Sequence, residues 1–252
     1  MLLHSYVNKQ LIVFADNLNM ASLNHNEDAI HDLRVALKQV FAVRNILKQS
    51  VLDYEHSFKP RFHLVKTLFK TAGIIRDRQI MMHLAQERLM HNEYVNYRRK
   101  CNRMIKPAFL KLQEIGESQN LKKEIRYITR IFYALDILRP EFVINIFIKR
   151  ISENEKQIKE QQNKANANYH LIRRLIKEQY YLLSILKEVY KYNSDENQIA
   201  KKKEMGSKLG DWHDLRVFHH DLIHSKMTVN PNTVTSIETE AKSFLNSIIP
   251  QL

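Results

Sequence analysis

Two short stretches of the sequence repeat one pattern of residues that bind phosphate well, His-x-x-Arg-x-x-x-Lys. At about 100° per residue, the three side chains of each stretch fall near 0°, 300° and 340° on a helix and form one narrow stripe. Arginine offers phosphate oxygens a planar fork, lysine a mobile charge, and histidine a donor that gains charge in mild acid. We call these the first stripe (His31, Arg34, Lys38) and the second stripe (His170, Arg173, Lys177).

A second pair of motifs follows the stripes in the same order. The two stripes start 139 residues apart (170 − 31), and Gly73-x-x-Arg-Asp and Gly210-x-x-His-Asp start 137 residues apart (210 − 73). Two motifs at nearly one offset indicate an internal repeat. The repeat predicts related halves near 1–118 and 139–252, with a linking helix at 119–138.

Further basic residues lie on the elements that must position the stripes. The segment after the first stripe has three cationic positions on one helical face, and the corresponding part of the second half is also basic. The candidate binding residues from these segments are His63, Lys66, Lys70, Arg76, Lys203 and Lys208. Asp77 and Asp214 follow the glycines and are expected to cap a helix or to orient a motif arginine.

The elements themselves are predicted to be helices. The chain has only 4 Gly and 5 Pro, and apolar residues recur at helical spacing almost throughout. The first stripe lies opposite an apolar face of Leu33, Leu37, Val40 and Leu47. The predicted helices span 2–23, 27–52, 57–72, 75–92, 93–117, 119–138, 141–167, 168–193, 197–209, 212–227 and 232–249, with breaks at Gly73 and Gly210.

Composition narrows the class of partner. Forty Lys and Arg against 27 Asp and Glu give a net charge of +13, which attracts polyanions. A single cysteine, Cys101, rules out an intrachain disulfide, and neither a signal peptide nor a membrane span is recognisable. These features predict a cytoplasmic protein without membrane insertion.

The sequence offers little for catalysis. It contains no glycine-rich phosphate loop, no nucleophile motif, no cysteine and histidine ligand set, and no Glu-x-x-His for a di-iron centre. We therefore predict a non-enzymatic protein with no cofactor and no metal.

The order of the motifs makes a family resemblance specific. His31-Asp-Leu-Arg-Val-Ala-Leu-Lys, Gly73-x-x-Arg-Asp, the second stripe and Leu209-Gly-Asp-Trp-His-Asp-Leu together resemble the CHAD family (conserved histidine α-helical domain) over essentially the whole chain. The resemblance implies two four-helix bundles related by a pseudo-twofold axis, with a basic groove between the halves that binds inorganic polyphosphate. It carries over the six stripe residues, whereas Arg76 and Lys203 follow from their place on neighbouring helices.

The sequence departs from the family pattern at three positions. Phe41 and Tyr180 stand where the family usually has arginine, and Glu178 stands where it is commonly basic. The predicted function is non-catalytic polyphosphate binding, with polyphosphate granules as an expected location. Two alternatives stay open: a nucleic-acid-binding module, for which Phe41, Tyr180 and Tyr181 could stack on bases, and a basic scaffold for an acidic protein.

Overall fold

The structure is a computed structural model that describes residues 3–24, 26–50, 62–134, 136, 138–193, 195–225 and 227–252. These residues form nine α-helices and contain no β-strand, which confirms the all-α prediction. The helices are α1 (Leu3–Asn24), α2 (Glu27–Ser50), α3 (His63–Arg88), α4 (His91–Glu117), α5 (Gln119–Ala134), α6 (Pro140–Gln162), α7 (Tyr169–Tyr190), α8 (Glu196–Ile223) and α9 (Pro231–Ile248), and a 3₁₀ turn follows at Ile249–Gln251. None of the described helices is long and apolar enough to cross a bilayer.

The predicted helix breaks at Gly73 and Gly210 are wrong. Helix α3 runs through Gly73 and α8 runs through Gly210 without interruption, and no described glycine adopts a positive φ. Both glycines are buried. They serve the packing of neighbouring side chains rather than a turn, as the contacts of Arg34 and Arg173 show below.

Other predicted boundaries lie close to the observed ones. The polar segment after 152 is helical as far as Gln162, and a short turn joins it to α7. The predicted helix end at 52 and helix start at 57 lie outside the described residues.

The chain divides into two compact units, and four of the five boundaries between them fall inside helices. Unit 1 comprises Met1–Arg76, Ile105–Glu153 and Tyr181–Ser194, and unit 2 comprises Asp77–Met104, Asn154–Tyr180 and Asp195–Leu252. Each unit contains segments from both predicted halves, so compactness and the sequence repeat divide the chain differently. The relation between the halves stays a prediction.

The core of unit 1 forms around α1 and α2, which pack against each other. The predicted apolar face of α2 is fully buried, including Leu33 and Leu37. Large aromatic side chains complete the core, among them Phe14, Phe132 and Phe147. This packing leaves the opposite face of α2, which carries the first stripe, at the edge of the core.

Unit 2 has two apolar clusters. One surrounds the buried Trp212 and contains Ile172 and Ile176 of α7. The other contains Tyr97, Cys101 and Phe218 and joins α4 to α8. Burial raises the pKa of the Cys101 thiol, which therefore behaves as an inert core residue.

A charged cluster stabilises the packing of α4 against α8. Asp221 accepts hydrogen bonds from the Tyr97 hydroxyl at 2.6 Å and from Lys100 Nζ at 2.9 Å, and Arg78 Nη1 lies 3.2 Å from the same oxygen. Burial alone would raise the pKa of Asp221, but these bonds and the charge of Arg78 outweigh it and hold the pKa below its ordinary value. The cluster links α3, α4 and α8 within unit 2.

Candidate functional site

The arginine of the first stripe is held in place by α3. Arg34 Nη1 donates a hydrogen bond to the carbonyl oxygen of Phe69 at 3.0 Å, and its guanidinium carbon lies 4.8 Å from the centre of the Phe69 ring. The guanidinium also rests on Gly73, where an added Cβ would lie 2.5 Å from Nη1. A side chain at position 73 would therefore displace the Arg34 guanidinium from this position.

His31 lies near a further cation on α3. Partial burial and the positive charge of Arg76 lower the pKa of His31 below its ordinary value, with a smaller effect from Lys38. These surroundings therefore favour the neutral form of the ring. The structure thus brings His31, Arg34, Lys38 and Arg76 together in unit 1.

The other predicted cations of α3 lie towards its start. His63 and Lys70 are exposed and Lys66 is half-buried. Glu124 accepts hydrogen bonds from the backbone N–H groups of Leu64 at 3.1 Å and Val65 at 2.9 Å. The start of α3 is thereby anchored by an acid from α5.

In the second stripe, within unit 2, an arginine likewise packs on a buried glycine. Arg173 lies against Gly210, where an added Cβ would be 3.4 Å from Nη2 and 3.5 Å from Nε. The side chain of Lys177 crosses Gly206, where a Cβ would be 3.1 Å from Cγ. Each motif arginine therefore packs on the glycine that the sequence repeat assigns to it.

His213 is a site residue that sequence reasoning missed. Its ring centre lies 4.8 Å from that of His170. Burial, together with the positive charges of Arg173 and Arg216, lowers the pKa of His213 to about 4. The repeat contained a signal for this residue, since the 137-residue offset pairs Arg76 with His213 (213 − 76). Arg76 lowers the pKa of His31 in the first stripe, and His213 contacts His170 in the second.

Two carboxylates lie beside the second stripe. Burial raises the pKa of Asp214, while Arg173 opposes that change, and Asp211 behaves in the same way under the influence of Lys177 and Arg173. The predicted capping role of Asp77 and Asp214 is wrong because both lie inside continuous helices. Asp214 is an electrostatic neighbour of Arg173, but no ion pair within 4 Å joins them among the described residues.

Lys203 and Lys208 are not brought to the second stripe by any described contact. Lys208 Nζ lies 2.7 Å from Glu204 Oε1 and 2.7 Å from Gln251 Oε1. Lys203 is exposed on α8. Their assignment as ligands stays a prediction that the geometry does not strengthen.

Phe41, considered as a stacking residue, packs inward. Its ring centre lies 5.3 Å from that of Phe69 and 6.2 Å from that of Phe62. It therefore contributes to the aromatic support of Arg34. Within the described part of the chain, no group of three or more His, Cys, Asp or Glu side chains could hold a metal ion.

Comparison with known proteins agrees with these features. The model of the CHAD domain family matches residues 5–222, and the chain belongs to this family. The fold is similar to the crystal structure of the CHAD domain from the plant Ricinus communis, with a TM-score of 0.70, 13% sequence identity, and coverage of 98% of this chain and 86% of that chain. At this identity the similarity shows the fold alone. A comparison with curated proteins gave no match.

Proposed function

We propose that the protein binds inorganic polyphosphate through the first and second stripes and that it catalyses no reaction. The observation that carries this proposal is the paired placement of Arg34 on Gly73 and Arg173 on Gly210. An arginine held by its surroundings loses little conformational entropy when it binds an anion, and its planar guanidinium suits phosphate oxygens. Two such positions in one strongly basic chain favour a ligand with many phosphates.

The histidines support the same ligand in a particular way. The lowered pKa values of His31 and His170 have burial as their first cause, followed by the charges of Arg76 and Arg173 respectively. A bound polyanion reverses the effect of those neighbouring cations and favours protonation. We therefore expect polyphosphate binding to take up protons and to strengthen as the pH falls below about 6.5.

A charge-matched pair of variants tests the proposal. Arg34 and Arg173 are half-buried, so reversal to Glu would bury a carboxylate, and neutral Gln is the better replacement. The stripe variant changes Arg34, Lys38, Arg173 and Lys177 to Gln. The control changes four exposed lysines to Gln, namely Lys156, Lys159, Lys164 and Lys191.

Both variants lose four positive charges, so only the position of the charges differs. We expect the stripe variant to lose at least about tenfold in affinity for long-chain polyphosphate at moderate salt, and the control to lose far less. Equal losses would mean that the whole basic surface binds without a site. Circular dichroism checks folding, and if the stripe variant unfolds, the pair Lys38→Gln and Lys177→Gln replaces it.

The proposed absence of catalysis has its own measurement. Polyphosphate chain length and free phosphate are followed during incubation with the protein and Mg²⁺. We expect no shortening of the chain. Phosphate release that disappears in the Asp211→Asn, Asp214→Asn variant would contradict a purely binding role.

A further inference from the structure

Helix α5 presents a row of cations that is separate from both stripes. Lys122, Lys123, Arg126 and Arg130 are all exposed, and together they form what we call the α5 cationic face. The helix buries its other side, including Leu121, Ile128 and Phe132. At 100° per residue, the four cations lie within a sector of about 100°, centred roughly opposite the buried residues.

The acid on α5 is kept away from this face. Glu124 points to the start of α3, where it accepts hydrogen bonds from the N–H groups of Leu64 and Val65. None of the four cations forms an ion pair with a described residue. One exposed cation elsewhere, Lys9, does pair with an acid, with its Nζ 3.1 Å from Glu188 Oε1. The α5 cationic face is therefore uncompensated within the described chain.

The spacing of the cations fits a linear polyanion. Lys122, Arg126 and Arg130 are successive i, i+4 residues, so about 6 Å of helix separates neighbours along the axis. All four cationic side chains are exposed and lie on one side of a single helix. Such a surface contacts evenly spaced phosphates and does not select one small anion.

An aromatic residue ends the row. Tyr133 falls about 20° from Lys122 around the helix, and its side chain is 67% exposed even though its ring contacts that of His4. Proteins bind single-stranded nucleic acid without sequence preference through cations that follow the backbone and aromatic rings on which bases stack, and both kinds of residue occur here. The face exposes no aliphatic side chain larger than Ala134, so insertion into a lipid bilayer is disfavoured.

From these observations we propose that the α5 cationic face and Tyr133 bind single-stranded nucleic acid, with phosphates on the cations and one base on the tyrosine ring. This interaction is independent of the proposed polyphosphate binding by the stripes. The two ligands would use different residues of the same protein.

The test uses a fluorescein-labelled oligouridylate of about 20 nucleotides and the full chain, measured by anisotropy over a range of salt. The face variant changes Lys122, Arg126 and Arg130 to Gln. Three lost contacts at about 0.7 each should reduce the slope of log affinity against log salt by about two. The control, Lys156→Gln, Lys159→Gln, Lys164→Gln, has the same net charge and should keep nearly the full slope.

The tyrosine separates stacking from charge. Tyr133→Ala should weaken oligouridylate binding by about tenfold with an unchanged salt slope, because a stacked base contributes without releasing counterions. Tyr133→Phe should restore the affinity. Equal losses in both Tyr133 variants would overturn the stacking contact.

Two other ligands distinguish this proposal from its alternatives. Polyphosphate affinity should stay within about threefold in the face variant at moderate salt, since the stripes are intact. Should wild-type protein fail to bind polyphosphate while oligouridylate binding still depends on α5, the stripe proposal fails and this one stands. The proposal for α5 is overturned if the face variant binds oligouridylate as tightly as the wild type does. It is also overturned if the face variant loses affinity only for anionic phosphatidylglycerol vesicles.

Discussion

The first and second stripes share one backbone device but have different electrostatic surroundings. In both, a motif arginine rests on a buried helical glycine. The first stripe meets Arg76 on the neighbouring helix, whereas the second meets His213, with Asp211 and Asp214 nearby. A shared device with different neighbours indicates that the arginine position is the common requirement and that the local charge varies between the stripes.

One acid near the second stripe, Asp214, differs in placement from the acids near the first stripe. Asp28 and Asp32 act on His31 from exposed positions on α2, where solvent screens them. Asp214 is half-buried and acts on Arg173 itself. The first stripe should therefore be the stronger contributor to polyanion binding, and the second should respond more to changes of charge around it.

The largest expected effect in this comparison comes from filling the glycine position beside the first stripe. Gly73→Ala would place a methyl group 2.5 Å from Arg34 Nη1 and force the guanidinium away from the carbonyl of Phe69. We expect polyphosphate affinity to fall by about tenfold, the equivalent of about 1.4 kcal/mol. Isothermal titration calorimetry measures this change.

The matched change in the second stripe should be mild. In Gly210→Ala the new methyl would lie 3.4 Å from Arg173 Nη2, so a small adjustment suffices. Affinity should change by less than about threefold, corresponding to roughly 0.6 kcal/mol. Replacing glycine in a helix should also raise thermal stability by up to about 1 kcal/mol. Equal effects of the two alanines on binding would break the comparison.

An intermediate effect is expected from the acids. Asp211→Asn with Asp214→Asn removes two negative charges beside Arg173 and should strengthen polyphosphate binding by a few fold at low salt. The exposed pair Asp28→Asn with Asp32→Asn is the control and should have a smaller effect. If the first stripe responds more to changes of charge, the control pair will change polyphosphate affinity more than the Asp211 and Asp214 pair does. Fluorescence anisotropy at two salt concentrations decides between these results.

Helical periodicity was sufficient to predict the fold class and the apolar face of α2, because both depend on local spacing. The sequence does not decide between a turn and a close approach of side chains at Gly73 and Gly210, because glycine favours both and only the folded chain shows which occurs. Here Arg34 and Arg173 occupy the space that a Cβ would fill. The same contacts explain why each glycine follows its arginine at a similar distance in the two motifs.

His213 shows the other limit of sequence reasoning. The repeat aligns this histidine with Arg76, that is, with a different type of residue. The proximity of the His170 and His213 rings depends on how α7 and α8 pack around Trp212. The α5 cationic face was missed for a different reason, since it lies outside the repeat and had no partner motif to mark it.

The smallest expected effect is on the pH dependence of the free energy of unfolding. It arises from His213, a titrating group that lies beside the second stripe. The pKa of His213 is about 4 in the folded protein and about 6.5 in the unfolded chain. Between these values the unfolded chain binds a proton that the folded protein does not. This residue therefore reduces stability as the pH falls from about 6.5 towards 4.

The raised pKa values of Asp211 and Asp214 act in the opposite direction, because the folded protein takes up protons at these carboxyl groups more readily than the unfolded chain. The contribution of His213 is therefore measured as a difference in pH-dependent stability between the wild type and a variant. We expect His213→Gln to lose less stability than the wild type between pH 7 and pH 5, as measured by urea denaturation. His91→Gln changes an exposed histidine outside both stripes and should follow the wild type. If His213→Gln also follows the wild type, the ring is not held neutral by its neighbours, and the second stripe loses the feature that distinguishes it from the first.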